Sequence, residues 1–339
     1  MKRLNKIKAE KMLILFAFLL KTNILCADIL QRDTLKNFPI YVGHIRKRKI
    51  YLNIPLTLSK NERERLIAIN NFNKVVDSLL KPEEKEKILL TMPSPLCSLI
   101  KVKIPEKFEI YSPNGYEGIF TKGRKVLIQD LLDGIFFPYL ELREEIKNIE
   151  FTKYENVVIA KPVHMRNAIL RKCILINKKV TDSIKLDSVW QILKRKITVE
   201  KIHDNFYKII GETLTREEIS VIYNSPHAWE INIYDGDVNG DNQNDLIVDA
   251  TWKSHKTSHI VSTIFIWDRK EKQVLDVIPP TFSSGDAQVF WKVSFGIDID
   301  NDKFVELVVH DIYYEGEAYS VYKWNGKIYQ RIYDVLKLW

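Results

Sequence analysis

An acidic, turn-forming loop occurs twice in this chain, 61 residues apart, and each copy runs directly into a strand-like hydrophobic segment. "DVNGDNQNDLIV" begins at Asp237, and "DIDNDKFVELVV" begins at Asp298 and aligns with it without a gap. The aligned acidic positions include Asp245 and Glu306, which are followed by Leu246 and Leu307. An internal repeat of this kind indicates a modular β or solenoid architecture. The repeat therefore predicts two similar β units in the C-terminal part of the chain.

The spacing of oxygen-bearing side chains in both loops is that of a calcium site. A hard cation binds about six to eight oxygens at about 2.3–2.6 Å, and a tight loop can supply side-chain oxygens from positions 1, 3, 5 and 9 and a backbone carbonyl from position 7. The expected ligands are Asp237, Asn239, Asp241, the Gln243 carbonyl and Asp245 in the first loop, and Asp298, Asp300, Asp302, the Phe304 carbonyl and Glu306 in the second. Carboxylates this close repel one another without an ion. We therefore predict two structural Ca²⁺ ions.

The first loop allows two other interpretations. In a helix-loop-helix calcium site starting at Asp235, position 12 would be a bidentate Glu, but it is Leu246, and the flanking segments are strand-like. That register is rejected, which places Asp235 outside the expected ligands. The other interpretation is that both loops are solvated turns, since Asp, Asn and Gly are the residues that β-turns use.

The first loop resembles the D-x-N-x-D-x-x-x-D-L loop of FG-GAP/VCBS-type repeats, the calcium-binding blades of integrin-like β-propellers. The second copy keeps a preceding "FG" (Phe295, Gly296) but has Glu306 for Asp and Asn301 for Gly. "VVHDIYYEG" with "VYKWNGK" also resembles uncharacterised exported bacterial proteins that carry such C-terminal loops. The resemblance covers roughly residues 225–335 and implies propeller-blade-like units with structural calcium. Two loops are few for a propeller, so the chain either hides degenerate blades upstream or ends in a small two-repeat β domain.

The predicted fold class is α+β. A mixed domain over residues 28–200 precedes an antiparallel all-β domain over residues 201–339 that contains the two propeller-blade-like repeats. Helices are expected over "SKNERERLIAINNFNKVVDSLL", where Ser59 and Glu62 form a capping box, after Pro82, and over "LDSVWQILKRK". From about residue 201, runs such as "FYKIIG", "EISVIY", "LIVDATW" and "ELVVHDIYY" indicate a β-meander.

The first 27 residues have the layout of a secretory signal peptide, with a basic segment, the apolar run "MLILFAFLL" and cleavage expected after Ala27. This segment carries six Lys/Arg and one Glu, so its removal lowers the formal net charge from +8 to +3. We therefore expect a periplasmic or secreted protein without a membrane span after cleavage, and no nucleic-acid partner, since that function requires a concentrated basic face. Cys97 and Cys173 would remain, either as a disulfide or as buried thiols.

The remaining candidate sites are weaker. His255 and His259 lie four apart, but in an expected strand connection and not on a helix, which favours a polar loop over a zinc pair. His310 and Asp311 are neighbours in a strand and point to opposite faces. The aromatic residues of the C-terminal part are expected to pack in the core and across strands, with a carbohydrate- or protein-binding face as the alternative.

No G-x-S-x-G, phosphate-binding glycine loop or H-E-x-x-H motif occurs in the sequence. We therefore expect a binding protein whose calcium loops make a β domain rigid for contact with an envelope or extracellular protein or glycan, and not an enzyme. The alternative is an envelope-polymer hydrolase in which the β domain is an accessory binding module, because a catalytic triad is recognised by its geometry and not by its sequence order.

Overall fold

The β-strands of the described chain pair antiparallel throughout, and only a few helices accompany them. A computed structural model describes residues 41–56, 62–100, 102–113, 115–129, 135–146, 157–163, 183–197, 214–254, 256–284, 288–299, 302–313 and 316–337. The predicted signal peptide, Ser59, Cys173, "FYKIIG", His255 and Asp300 lie outside these residues. The described chain contains one seven-stranded sheet and two four-stranded sheets.

The seven-stranded sheet is built from the N-terminal part of the chain. Its strands are β1 (Tyr41–Arg46), β2 (Lys49–Asn53), β3 (Leu89–Thr91), β4 (Lys107–Ser112), β5 (Gly115–Gln129), β6 (Phe136–Glu145) and β7 (Val157–Pro162). The strand order is β3-β5-β4-β7-β1-β2-β6, and a further pairing of β5 with β6 closes six strands into a ring. The basic run "RKRK" lies at the turn between β1 and β2, where Lys47 and Arg48 have positive φ angles of 49° and 67°.

One helix of 18 residues and two helices of 4 residues accompany this ring sheet. They are α1 (Glu62–Leu79), α2 (Pro82–Lys85) and α3 (Ser94–Cys97). The apolar spacing of α1 places Phe72 and Val76 in the same core cluster as Leu52 and Phe108 of the sheet. The Asn73 side chain accepts a hydrogen bond from the Phe136 backbone N–H at 2.8 Å and donates one to the Phe136 carbonyl at 3.0 Å, which anchors the helix to the start of β6.

The C-terminal part forms two consecutive meanders. The first meander contains β8 (Trp229–Gly236), β9 (Asp245–Lys253), β10 (Ile260–Asp268) and β11 (Gln273–Ser283), and the second contains β12 (Val289–Ile297), β13 (Glu306–Tyr313), β14 (Glu317–Trp324) and β15 (Tyr329–Lys337). Each strand pairs with the next one along the chain, as the alternation of strand-like runs and turns predicts. The strands of the ring sheet all precede residue 163 and those of the meanders all follow residue 228, while the domain boundary near residue 200 stays a prediction.

One predicted strand of the C-terminal part is a helix. "EISVIY" lies within α5 (Arg216–Asn224), which follows α4 (Ser183–Lys196) along the described chain and leads into a short 3-10 turn (Pro226–Ala228). The Thr215 hydroxyl accepts a hydrogen bond from the Glu218 backbone N–H at 3.1 Å, and the Glu218 carboxylate accepts one from the Thr215 backbone N–H at 2.9 Å. This capping box outweighs the β-branched composition that suggested a strand. The predicted all-β domain therefore contains a helix.

The sheets pack in layers, and alternate residues of each central strand face opposite neighbours. Leu246 and Val248 of β9 pack against α4 and α5, whereas Ile247 packs against the second meander. In β13, Leu307 contacts the first meander and Val308 packs against the ring sheet. Because both faces of β9 and β13 are covered, each strand has a run of consecutive buried apolar residues, Leu246–Val248 and Leu307–Val309. Leu246 and Leu307, which are 61 positions apart, therefore both face the layer before their own meander, and Ile247 and Val308 both face the layer after it, in the order helices, first meander, second meander, ring sheet.

Candidate metal centre

The two acidic loops occupy the same position in their meanders. The first loop, residues 237–245, joins β8 to β9 and is closed by the pair Gly236 and Asp245. The second loop, residues 298–306, joins β12 to β13 and is closed by the pair Ile297 and Glu306. Each loop therefore connects the first strand of its meander to the second in the same register.

Asp237 organises the backbone of the first loop. One carboxylate oxygen accepts hydrogen bonds from the backbone N–H groups of Gly240 at 2.7 Å and Asp241 at 3.1 Å, and the other accepts from Asn242 at 2.9 Å. Gly240 and Asn242 have positive φ angles of 70° and 66°, which glycine and asparagine adopt more readily than other residues. The local turn chemistry thus curls the loop around the first predicted ligand.

The middle of the loop continues this pattern. The Asn239 side-chain oxygen accepts a hydrogen bond from the Asp241 backbone N–H at 3.1 Å, and the Asp241 carboxylate accepts one from the Gln243 backbone N–H at 2.8 Å. The Lys270 ammonium lies 3.5 Å from Asp241, on a side chain that is half exposed. The structure thus brings Asn239, Asp241 and Gln243 together in the turn that the sequence indicated.

Asp245 carries the buried carboxylate of the first loop. Its carboxylate accepts hydrogen bonds from the backbone N–H groups of Arg269 at 3.2 Å and Val238 at 3.4 Å. Burial raises the pKa of Asp245 to about 6, the neighbouring carboxylates of Asp268 and Asp241 add to the increase, and the two N–H groups oppose it. Ionised Asp245 is therefore costly without further positive charge.

Asp268 is an acidic residue of this site that sequence reasoning missed. It is buried at the end of β10, and the pairing of Leu246 with Trp267 places it beside Asp245 across the two strands. The Asn239 side-chain amide donates a hydrogen bond to the Asp268 carboxylate at 3.3 Å. Because the loop motif ends at Asp245, only the register of β9 against β10 could have revealed this residue.

The second loop has a similar set of backbone contacts. The Asp298 carboxylate accepts a hydrogen bond from the Lys303 backbone N–H at 3.2 Å, and the Asp302 carboxylate accepts one from the Phe304 N–H at 2.9 Å. The Glu306 carboxylate accepts one from the Ile299 backbone N–H at 2.8 Å. The Phe304 ring stacks against Trp324 with 6.1 Å between the ring centroids. Four of the five predicted ligands are thus described in one loop, and Asp300 is the one that lies outside the described residues.

Lys323 of the neighbouring strand β14 contacts the acidic side chains of the second loop, and sequence reasoning missed it as well. The Lys323 ammonium is 2.6 Å from the Glu306 carboxylate and 2.9 Å from the Asp302 carboxylate. The exposed fraction of the Lys323 side chain is 9%, and that of Glu306 is 1%, so this ion pair is shielded from water. The pairing of Leu307 with Tyr322 makes Lys323 the cross-strand neighbour of Glu306.

The two loops contact each other. The Val305 backbone N–H donates a hydrogen bond to the Val238 carbonyl at 2.9 Å. A Cβ atom added at Gly240 would lie 2.5 Å from the Lys303 Cβ and 3.0 Å from the Lys303 carbonyl oxygen. The two loops are therefore packed against each other through backbone and side-chain contacts.

The other histidine candidates take part in structural networks. His259 is buried with its Nδ1 3.1 Å from the Glu218 carboxylate, which also accepts hydrogen bonds from the hydroxyls of Thr257 and Ser254. Burial raises the pKa of Glu218, but these contacts and the Thr215 backbone N–H outweigh burial and lower it to about 2. The network ties the connection between β9 and β10 to α5.

In the second meander, His310 Nε2 lies 3.0 Å from the Glu317 carboxylate, while the buried Asp311 accepts hydrogen bonds from Ser320 and Arg331. Asp235, which the loop register excludes as a ligand, lies 3.5 Å from the Arg269 guanidinium. These residues have protein partners outside the two loops.

The described aromatic residues of the C-terminal part range from buried to half-buried. Trp229 and Trp252 are buried, and Trp229 lies 6.3 Å from Trp190 in an edge-to-face arrangement. Trp267, Trp291, Tyr313 and Trp324 are half-buried, so a carbohydrate- or protein-binding face stays a prediction. Cys97 is a half-buried thiol at the end of α3, and Cys173, the partner in the predicted disulfide, lies outside the described residues.

Within the described ranges, no group of three or more His, Cys, Asp or Glu side chains is already arranged to hold a metal ion. The carboxylates of the loops instead accept hydrogen bonds from their own backbone. The oxygen-only donor set of the first loop nevertheless fits a hard cation, and buried Asp245 beside Asp268 and Asp241 would benefit from one.

Comparisons of this chain with protein-family models, with curated proteins and with solved structures gave no match. In the part of the chain that the structure describes, no helix combines the length and hydrophobicity needed to cross a membrane.

Proposed function

We propose that the first loop binds a structural Ca²⁺ ion, and that this ion makes the paired meanders a rigid scaffold for binding an envelope or extracellular protein or glycan. The observation that carries the proposal is Asp245, which is fully buried, has a pKa raised to about 6 and is next to the carboxylates of Asp268 and Asp241. A bound cation would offset the repulsion between Asp245 and these two neighbouring carboxylates and so favour the ionised form of Asp245.

Asp237, Asn239, Asp241 and Asp245 would hold the ion through side-chain oxygens, and Gln243 through its carbonyl. Asp268 would contribute charge from the neighbouring strand. The carboxylate of Asp237 already gathers the loop backbone through three N–H groups, so the loop is largely preorganised. Calcium sites of extracellular modules have Kd values of about 10⁻⁴–10⁻³ M, and we expect this range for a chain with a predicted signal peptide.

We further propose that each meander is a blade-like repeat of the FG-GAP/VCBS type. Three observations support this relation. Both loops join the first and second strands of a four-stranded antiparallel meander, their closing residue pairs are 61 positions apart, and equivalent residues of β9 and β13 face the same direction along the stack. The ring sheet and the helices α4 and α5 cover the outer faces of the two meanders, so two repeats bury their faces without a closed propeller.

Thermal unfolding with and without calcium tests the proposal. After metal removal is verified, we expect chelator to lower the melting temperature and added Ca²⁺ to restore it, because a ligand that binds only the folded state stabilises it. Asp237→Ala should abolish this response, whereas Asp298→Ala should leave it. Equal melting curves with and without calcium in the wild-type chain would refute the calcium site.

The scaffold role has a separate test. Wild-type chain and Asp237→Ala would be compared for retention of envelope proteins and glycans, at a temperature where both are folded and with Ca²⁺ or chelator present. Binding that depends on calcium in the wild-type chain and is weak in Asp237→Ala under both conditions supports the role. Equal binding by both chains in chelator would separate binding from the ion.

A further inference from the structure

We infer that the second loop does not bind a metal ion, because the Lys323 ammonium takes the place of one. The inference rests on the proposed calcium site in the first loop and assigns the chain one Ca²⁺ where the sequence predicts two. Lys323 Nζ lies 2.6 Å from Glu306 and 2.9 Å from Asp302, which are two of the predicted ligands. A second cation beside the same oxygens would be repelled by the ammonium.

The ion pair between Lys323 and Glu306 is buried. Glu306 has a side-chain exposed fraction of 1% and Lys323 one of 9%, so neither charge is well solvated and each depends on the other. The Glu306 carboxylate also accepts the Ile299 backbone N–H at 2.8 Å, which fixes it within the loop. The ammonium therefore offsets the charge of Glu306 and Asp302 from within the chain and holds the β12–β13 connection without calcium.

The strand register makes Lys323 the counterpart of Asp268. Lys323 is the cross-strand neighbour of Glu306, since Leu307 pairs with Tyr322. Asp268 is the cross-strand neighbour of Asp245, since Leu246 pairs with Trp267. At the same position, one meander adds a negative charge to its loop and the other adds a positive charge. The first loop thereby requires an external cation, and the second contains its own.

Calcium stoichiometry on the whole, metal-free chain tests the inference. Titration calorimetry and native mass spectrometry should give one Ca²⁺ per chain, which Asp237→Asn removes and Asp298→Asn leaves in place. Two ions, with one lost in Asp298→Asn, would overturn the inference and leave the first-loop site intact. If no ion binds, the proposed calcium site in the first loop is refuted. That result agrees with a second loop that binds no metal, and the unfolding of Lys323→Gln then tests whether the ammonium holds the loop.

Thermal unfolding of Lys323→Gln in chelator provides that measurement. Removing one partner of a buried ion pair should lower the melting temperature by on the order of 5 °C. The matched control is Lys292→Gln, because Lys292 lies at the same 2.6 Å from Glu230 in an exposed pair, and its loss should cost about 1 °C. The double variant Lys323→Gln/Glu306→Gln should recover most of the loss. Equal melting temperatures for Lys323→Gln and Lys292→Gln would show that the ammonium does not hold the loop.

Discussion

The two acidic loops share spacing, strand connection and closing register, but they differ in the charge that the neighbouring strand presents to them. Buried Asp268 adjoins the first loop, and buried Lys323 adjoins the second. A loop motif thus specifies which oxygen atoms are available to bind an ion. It does not specify the net charge around them, which also depends on side chains of the neighbouring strand. The residue that decides between an external and an internal cation lies across the sheet, outside the motif.

The contact between the loops carries the largest expected effect. In Gly240→Ala, the new Cβ would meet the Lys303 backbone at 3.0 Å on a residue with a φ of 70°, so we expect a loss of about 3 kcal/mol in the free energy of unfolding. Gly326→Ala is the matched control, because its φ is 93° but no heavy atom lies within 4 Å of the added Cβ, and about 1 kcal/mol is expected. Urea denaturation measures both, and equal losses would mean that the loops do not pack on each other.

Moving the charge of the second loop into the first is the next strongest test. Asp268→Lys should make the first loop independent of calcium and remove the gain of about 2.7 kcal/mol that the ion gives at 100 times its Kd. The melting temperature in chelator and in Ca²⁺ would then coincide. Asp187→Lys, with the same charge change at an exposed position of α4, should keep the full response. A calcium response retained by Asp268→Lys would show that Asp268 does not set the charge of the site.

The difference between the meanders extends four residues past the loops, where Asp249 corresponds to His310. Asp249 is buried and accepts hydrogen bonds from Asn232, from Tyr234 and from the Val293 backbone N–H of the second meander. Burial raises the pKa of Asp249 to about 6, although these contacts and Lys292 oppose it. Since the folded state binds this proton more tightly than the unfolded state, the contribution of Asp249 to stability is greatest below about pH 4 and is lost as the pH rises through about 6.

Asp249→Asn removes this titration. The difference in unfolding free energy between wild type and Asp249→Asn should change by about 2 kcal/mol between pH 4 and pH 7, with the wild type relatively more stable at the lower pH. Denaturation of metal-free chain in calcium-free buffer across that range measures the difference and leaves calcium out of the comparison. A constant difference would mean that Asp249 ionises in the folded state as readily as in the unfolded chain.

Patterns local in sequence predicted much of the fold and of the first loop. Asp237 and Gly240 form a turn through hydrogen bonds within five residues, and the apolar segments that follow Asp245 and Glu306 form strands whose two faces are both buried. The prediction of a strand at "EISVIY" was wrong. A local pattern could have corrected it, because Thr215 and Glu218, three residues apart, form a capping box.

The remaining features depend on the register between strands. Asp268 is 23 residues from Asp245, whereas Lys323 is 17 residues from Glu306, because the connections between the paired strands differ in length. A search at the 61-residue period aligns the loops but not these two positions. Their equivalence appears only when Leu246 is paired with Trp267 and Leu307 with Tyr322.

Lys270 gives the smallest and most discriminating test, because it is a lysine beside the first loop. Its ammonium is 3.5 Å from Asp241, and its side chain is 50% exposed, against 9% for Lys323. Solvent therefore screens its charge, and Lys270→Gln should change the unfolding free energy by less than about 0.5 kcal/mol and strengthen calcium binding about twofold. Lys272→Gln, in the same exposed turn, is the control for the change in net charge. If Lys270→Gln destabilised the chain as much as Lys323→Gln, proximity to an acidic loop and not burial would decide which lysine replaces an ion.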